Sequence, residues 1–299
     1  MLEQREDISY TVSVGDRESG GDKMQVNITI LVENTTPDMR LIGEYGFAAL
    51  VQVDGHSFLF DTGSHDALLH NARALSLDLG AVKKVVISHG HSDHTGGIRF
   101  LLQQGGERTF YLHPHVFYPR GVVLSNGQIK DLSMPIGREE IMAQGDKFVE
   151  TPRVHELMPG VLVTGEVPRL TDYENTGGNF VYQTSSRWET DNLTDDQALI
   201  IDHPEGLIIV SGCAHAGLIN TLQYACQVTG NHKIQAFIGG THLFTANQER
   251  MSQTIQALKQ YDIKRLVVSH CTGFYASAML YNELGDTVRK GEVGYRFRV

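Results

Sequence analysis

The 299-residue chain reads as an α/β protein whose core is two stacked sheets flanked by helices. Three observations carry that expectation. Alternating apolar runs open the chain as a meander, strand-like and helix-like segments then take turns, and the second half repeats the same plan. Four apolar strands are each followed within a few residues by a histidine. A hydrophobic content of 41% is ample for such a core.

Residues 1–23 are polar, rich in charge and glycine and without periodicity, which reads as a mobile N-terminal arm ahead of one domain spanning 24–299. From Val26 to Val32 the chain alternates. Phe47 to Val53 and Ser57 to Phe60 follow as strands joined by Asp54-Gly55, a strong hairpin signal. A helix around Asp66 to Ala74, a strand from Lys84 to Ser88 and a short helix from Gly97 closed by Gly105-Gly106 complete the first half. Between about 121 and 188 the pattern is broken by Pro135, Pro152, Pro159 and Pro168 and reads as a substrate-facing insert. Regularity returns with strands Gln197 to Asp202 and Leu207 to Ser211, a helix from Leu218 and a strand from Ile234 to Ile238. A helix over Asn247 to Tyr261 and a strand from Arg265 to Ser269 follow, with Thr245 and Gln248 as a capping box.

A net charge of −10 argues against a sequence-independent nucleic-acid binder, which needs basic surface to displace counterions, and points to small-molecule substrates. No apolar stretch is long enough for a bilayer and no secretory signal opens the chain, so the expectation is a cytoplasmic protein without a membrane partner; a homo-oligomer is compatible with it. Three cysteines, Cys213, Cys226 and Cys271, are too few for a disulfide framework at this length.

The most informative stretch is His89-Gly90-His91-Ser92-Asp93-His94, directly after the apolar run Val85-Val86-Ile87. A strand ending at Ser88 leaves His89 and His91 on a tight loop, and Asp93 and His94 open the next helix, so four donors can converge from two directions on metal. Nitrogen-rich ligation with a little carboxylate favours zinc. His215, His242 and His270 follow other apolar strands, and in α/β sheets such strand ends deliver side chains to a common crevice. His215 and His270 are assigned as ligands. His242 exceeds the ligand count and is the candidate for binding substrate or protonating a leaving group. Asp61, in Asp61-Thr62-Gly63, also ends a strand and is expected to accept the spare N–H of a ligand histidine.

Asp61-Thr62-Gly63, the run from His89 to Gly97 and the late histidines together resemble the metallo-β-lactamase superfamily of binuclear hydrolases, over nearly the whole chain from Met24. Within it, 164–169, 212–217 and His270-Cys271-Thr272-Gly273 look like the branch that includes the ribofuranosylaminobenzene 5'-phosphate synthase of methanopterin biosynthesis. The resemblance implies a four-layer αβ/βα sandwich with two divalent ions, zinc first and manganese or iron as alternatives. His89, His91 and His215 would hold one ion; Asp93, His94 and His270 the other. The chain departs from the superfamily pattern where a glycine-aspartate pair supplies a bridging carboxylate, because Gly212 is followed by Cys213. Cys213 then is either a thiolate ligand or, the preferred reading, a small buried residue beside the ligands with His215 having taken over the position. Asp195 and Asp196 are other carboxylate donors, read here as a solvated loop.

Two such ions about 3.5–4 Å apart lower the pKa of a shared water from about 15.7 toward 7. The expected activity is hydrolysis of a small, anionic ester or phosphoester by a metal-bound hydroxide, with Asp93 and His242 as the catalytic side chains and Arg153 or Arg169 available to an anion. The alternatives are a transferase of pterin cofactor biosynthesis and a catalytically silent ligand sensor.

Overall fold

The computed structural model describes residues 24–299, so the expected N-terminal arm lies outside the described residues. The chain opens with the antiparallel meander Val26–Val32, Ala48–Val53 and His56–Phe60, turned at Asp54-Gly55. Lys84–Val86, Thr109–Leu112 and Lys147–Glu150 then add to it in parallel, and the C-terminal strand Arg296–Arg298 closes the far edge, giving a seven-stranded sheet. A second seven-stranded sheet runs in the order Val288–Lys290, Leu266–Val268, Ile234–Gly239, Gly206–Ser211, Ala198–His203, Val161–Val163, His155–Met158. Its first four strands are parallel.

Alternation of side chains decides the layering. Ile28, Ile30, Val51 and Phe60 of the first sheet meet Val163, Ile201, Val210 and Ile238 of the second in a shared core. Their alternating neighbours face outward. Leu50, Leu59 and Val85 pack under the helices Ala67–Ala74 and Ile98–Leu102, whereas Ile200, Ile209 and Phe237 pack under Leu218–Thr229, Gln248–Leu258 and Phe274–Leu284. The result is the four-layer αβ/βα sandwich. Among the described residues no helix is long and apolar enough to cross a membrane.

The segment 121–188, expected as one insert, divides. Lys147–Glu150 extends the first sheet, and His155–Met158 and Val161–Val163 extend the second. Only its two ends, Arg120–Val123 with Ile129–Asp131 and Phe180–Gln183 with Trp188–Thr190, form a separate four-stranded sheet. The expected Thr245 cap is also corrected. The helix begins at Gln248 with Asn247 Oδ1 accepting from Arg250 N at 2.8 Å, while Thr245 donates to Gly177 O. Asn247 displaces Thr245 because it stands immediately before the helix, within reach of that free N–H.

Candidate metal centre

Five strands deliver polar groups to one end of the sandwich. His56–Phe60 runs into Asp61, Lys84–Val86 into Ser88, His89 and His91, Gly206–Ser211 into Cys213 and His215, Ile234–Gly239 into His242, and Leu266–Val268 into His270. Asp93 and His94 sit in the single helical turn Ser92–Thr95. The structure thus brings every predicted site residue together.

Four overlapping donor groups result among the described residues: His89 with His91 and His215, Asp93 with His94 and His270, His89 with His94 and Cys213, and Cys213 with His242 and Cys271; within each, the candidate ligand atoms lie within 4.8 Å of one another. The first two abut, since the His89 and His94 rings are 4.3 Å apart. Hydrogen bonding fixes which ring nitrogen each histidine turns inward. Asp61, wholly buried, accepts from Ser88 N, from Ser88 Oγ and from His94 Nδ1, each at 2.7 Å. With its proton given to Asp61, Ser88 Oγ accepts from His89 Nδ1 at 2.9 Å. His215 Nδ1 donates to Thr176 O and His270 Nδ1 to Asn34 Oδ1, both at 2.9 Å. In the neutral form, these bonds leave Nε2 as the bare nitrogen of all four rings and turn it toward the centre; His94, which holds a second proton in the metal-free protein, would release it on binding a cation.

The inward-facing nitrogens crowd one another. His89 Nε2 lies 2.9 Å from His91 Nδ1, and the buried His215 Nε2 has no partner. Burial, chiefly, holds His89 and His215 well below the usual histidine range and His91 down to about 3, so this triad is neutral. The triad holding Asp93 is charged. Burial, the largest single effect, opposes ionisation of both Asp93 and His94, yet their mutual attraction together with their other partners outweighs it. With help from His270 for Asp93 and from Asp61 for His94, the Asp93 carboxyl is held well below its ordinary value and His94 is raised to about 9. His270 Nε2 stands 3.2 Å from Asp93 Oδ2. Convergent imidazole nitrogens and one carboxylate, with the buried His215 Nε2, His91 Nε2 and His270 Nε2 lacking a hydrogen-bond partner, are the donor set that a divalent cation of borderline softness takes, so the residues fit such an ion.

Backbone strain is concentrated here. Seven non-glycine residues among those described have left-handed φ, and four belong to this site: Asp61 at 57°, Ala214 at 52°, His242 at 48° and His270 at 48°. Each such conformation costs on the order of 1–3 kcal/mol and persists only where surroundings enforce it. Asp61 N is tied to Val86 O, His270 N to Glu33 Oε1 and His242 N to Cys271 Sγ. Gly212 is also dictated by space, because a Cβ there would lie 2.1 Å from Ser88 Oγ and 2.8 Å from Asp61 Oδ2.

The expectation that Asp195 and Asp196 form a solvated loop is overturned: they are 1% and 3% exposed. Asp195 pairs with buried Arg120 at 2.9 Å and accepts from Gly90 N at 2.8 Å, so it grips the turn between His89 and His91. A buried charge of this kind is retained only with a partner, and Arg120 arrives from the separate sheet, a long-range pairing with no local sequence signal. Glu174 is likewise unforeseen; it accepts from Ile219 N and Asn220 N and so pins the loop that carries Thr176. Arg169, offered as an anion contact, instead donates to the carbonyls of His215, Ala216 and Asn192 and ties the His215 turn in place. Arg153 is exposed on the loop after Lys147–Glu150.

Asp196 accepts from Ala216 N through Oδ2, but its buried Oδ1 has no partner. Burial, opposed by that bond and by Arg169, raises its pKa from 3.8 to about 7. The folded form therefore holds the proton that the unfolded chain gives up, and stability falls as pH rises from about 4 to about 7, levelling off above. Asp196→Asn in metal-free protein is expected to gain on the order of 1–3 kcal/mol over wild type at pH 8, with the gain vanishing near pH 4, read from urea unfolding at both pH values.

A family model described as the metallo-beta-lactamase superfamily matches residues 41–270. The chain belongs to this superfamily. Among relatives, it is 29% identical over 260 residues, covering 84% of this chain and 88% of the other, to the 7,8-dihydropterin-6-methyl-4-(beta-D-ribofuranosyl)-aminobenzene-5'-phosphate synthase of Methanocaldococcus jannaschii. Among solved structures, it resembles Tm1679, a metal-dependent hydrolase of the beta-lactamase superfamily, with a TM-score of 0.79 and 26% identity over 92% of this chain and 99% of that one. It also shares its fold with zinc-bound PqqB of Methylobacterium extorquens, with a TM-score of 0.56 and 16% identity over 91% of this chain and all of that one (100%). The superfamily generally binds divalent metals, and the paired donor groups described above lie within the matched span.

Proposed function

We propose that the chain is a binuclear metal-dependent hydrolase of a small, anionic ester or phosphoester. One observation carries this reading: two preorganised donor triads abut through His89 and His94, one neutral and one holding Asp93. Bound there, two divalent ions would supply a water acidified to near neutrality and Lewis-acid polarisation of the electrophile. His89, His91 and His215 would hold one ion, and Asp93, His94 and His270 the other. With a single carboxylate among six donors, the loaded centre is strongly positive, which favours an anionic substrate.

His242 is suited to the proton. Both of its ring nitrogens are buried without partners, its ring lies 4.2 Å from that of His215, and Gly177 leaves it no room to swing back, since a Cβ there would sit 2.0 Å from His242 Cδ2. Asp93 contributes the carboxylate, its Oδ2 standing 3.2 Å from His270 Nε2 and 3.8 Å from His94 Nε2. His242→Ala is expected to lower kcat by about 10²-fold or more with zinc content unchanged; loss of zinc would instead make His242 a ligand.

The 29% identical relative named as a synthase supports a second reading, transfer to an acceptor other than water. Protein reconstituted with zinc or manganese and assayed on generic phosphomonoesters, phosphodiesters and carboxylic esters separates the two. Chelator-sensitive, water-driven turnover is expected for the hydrolase. Full metal loading without turnover on any of these would favour the transferase.

A further inference from the structure

We infer that Cys213 is a thiolate ligand shared by the two ions, standing where the superfamily pattern has a bridging carboxylate. This rests on the metal-centre reading above. Cys213 follows Gly212 at the end of Gly206–Ser211, and its Sγ lies 3.2 Å from His94 Nε2. It also groups with His89 and His94 so that all three candidate ligand atoms fall within 4.8 Å of one another. Those two histidines belong to different triads. Cys213 therefore presents a donor atom within ligand reach of both halves of the centre.

Neighbouring groups are otherwise engaged. Cys271 Sγ accepts from His242 N at 3.2 Å and points its own proton at Cys213 O at 3.6 Å; its candidate ligand atom groups with those of Cys213 and His242 but with none of the six triad residues. Asp195 is held by Arg120 and Gly90, and Asp196 belongs to no donor group among the described residues. Charge balance points the same way. Among the six ligands only Asp93 carries negative charge, so two dications leave the ligand shell strongly positive even with Asp61 behind His94, and a thiolate lowers that excess by one. Soft thiolate with imidazole also suits zinc. Ligation exchanges the S–H bond for sulfur–metal bonds and releases one proton to solvent, with no change of oxidation state.

The test is zinc X-ray absorption on protein loaded with two equivalents of zinc, for wild type, Cys213→Ser and Cys271→Ser, each checked for native circular dichroism. A sulfur shell at about 2.3 Å is expected in wild type and in Cys271→Ser, at about one sulfur per zinc, and is expected to vanish in Cys213→Ser. About half a sulfur per zinc would mean that Cys213 serves one ion only and would overturn the bridge. Two zinc ions bound through nitrogen and oxygen alone, or a sulfur shell lost in Cys271→Ser, would overturn the assignment while leaving the metal centre intact. Failure to bind zinc at all would remove both.

Discussion

His91→Ala is expected to abolish turnover and to weaken zinc retention by more than about 100-fold, with the sheets left intact. Removing a group that only orients a ligand typically costs 10–100-fold in metal affinity, and loss of a donor exceeds that. His91 faces His89 Nε2 through Nδ1 at 2.9 Å, while its own Nε2 has no partner. Truncation therefore removes a donor to the cation, and the one side-chain contact it breaks is that with His89 Nε2, itself a candidate ligand atom. What remains is a small void against Phe180, whose ring lies 5.2 Å from that of His91, and the cost to folding should stay near about 1–2 kcal/mol. Equilibrium dialysis against a zinc indicator, the assay above and urea unfolding read the three quantities separately. Unfolding of the variant, or of wild type on chelation, would mean that the ions hold the fold together instead of sitting at its rim.

The same geometry explains what could be read from the sequence. The strands were legible because alternation is local and both sheets are buried on two faces, and the histidines because each stands directly after such a strand. The helix Phe274–Leu284 and the closing strands Val288–Lys290 and Arg296–Arg298 were not foreseen. Phe274-Tyr275-Ala276 opens that helix with exposed aromatics, 80% and 83% accessible at the first two positions, so no polar stripe marks the solvent face. The closing strands are three residues each, too short for periodicity. Asp195 and Asp196 look like an acidic loop to any local reading. Their burial follows from Arg120, which lies 75 positions before Asp195. Glu33 is of the same kind: its contact with His270 N joins the first strand to the last histidine across 237 positions. Local pattern thus reveals the donors, while the groups that aim them come from pairings that only the folded chain makes.

Asp61 separates aiming from folding, and two substitutions there should behave differently. Asp61→Ala leaves Ser88 N and His94 Nδ1 without an acceptor in a wholly buried site and puts a β-carbon residue at φ 57° without a side-chain tether. Stability is expected to fall by about 3–5 kcal/mol, read from urea unfolding of metal-free protein. Asparagine tolerates left-handed φ and fills the same space, so Asp61→Asn should cost clearly less. Its oxygen can still accept from Ser88 N, but its NH₂ group then replaces Oδ2, which accepts from both Ser88 Oγ and His94 Nδ1. His94 must answer by turning Nδ1 into an acceptor and placing its proton on Nε2, the atom that faces Cys213 and Asp93. A protonated Nε2 cannot ligate, so zinc affinity is expected to drop by about 10–100-fold although the fold survives. If Asp61→Asn instead binds zinc within about twofold of wild type, the carboxylate does not set the His94 tautomer, and its contribution is to hold the Ser88 turn.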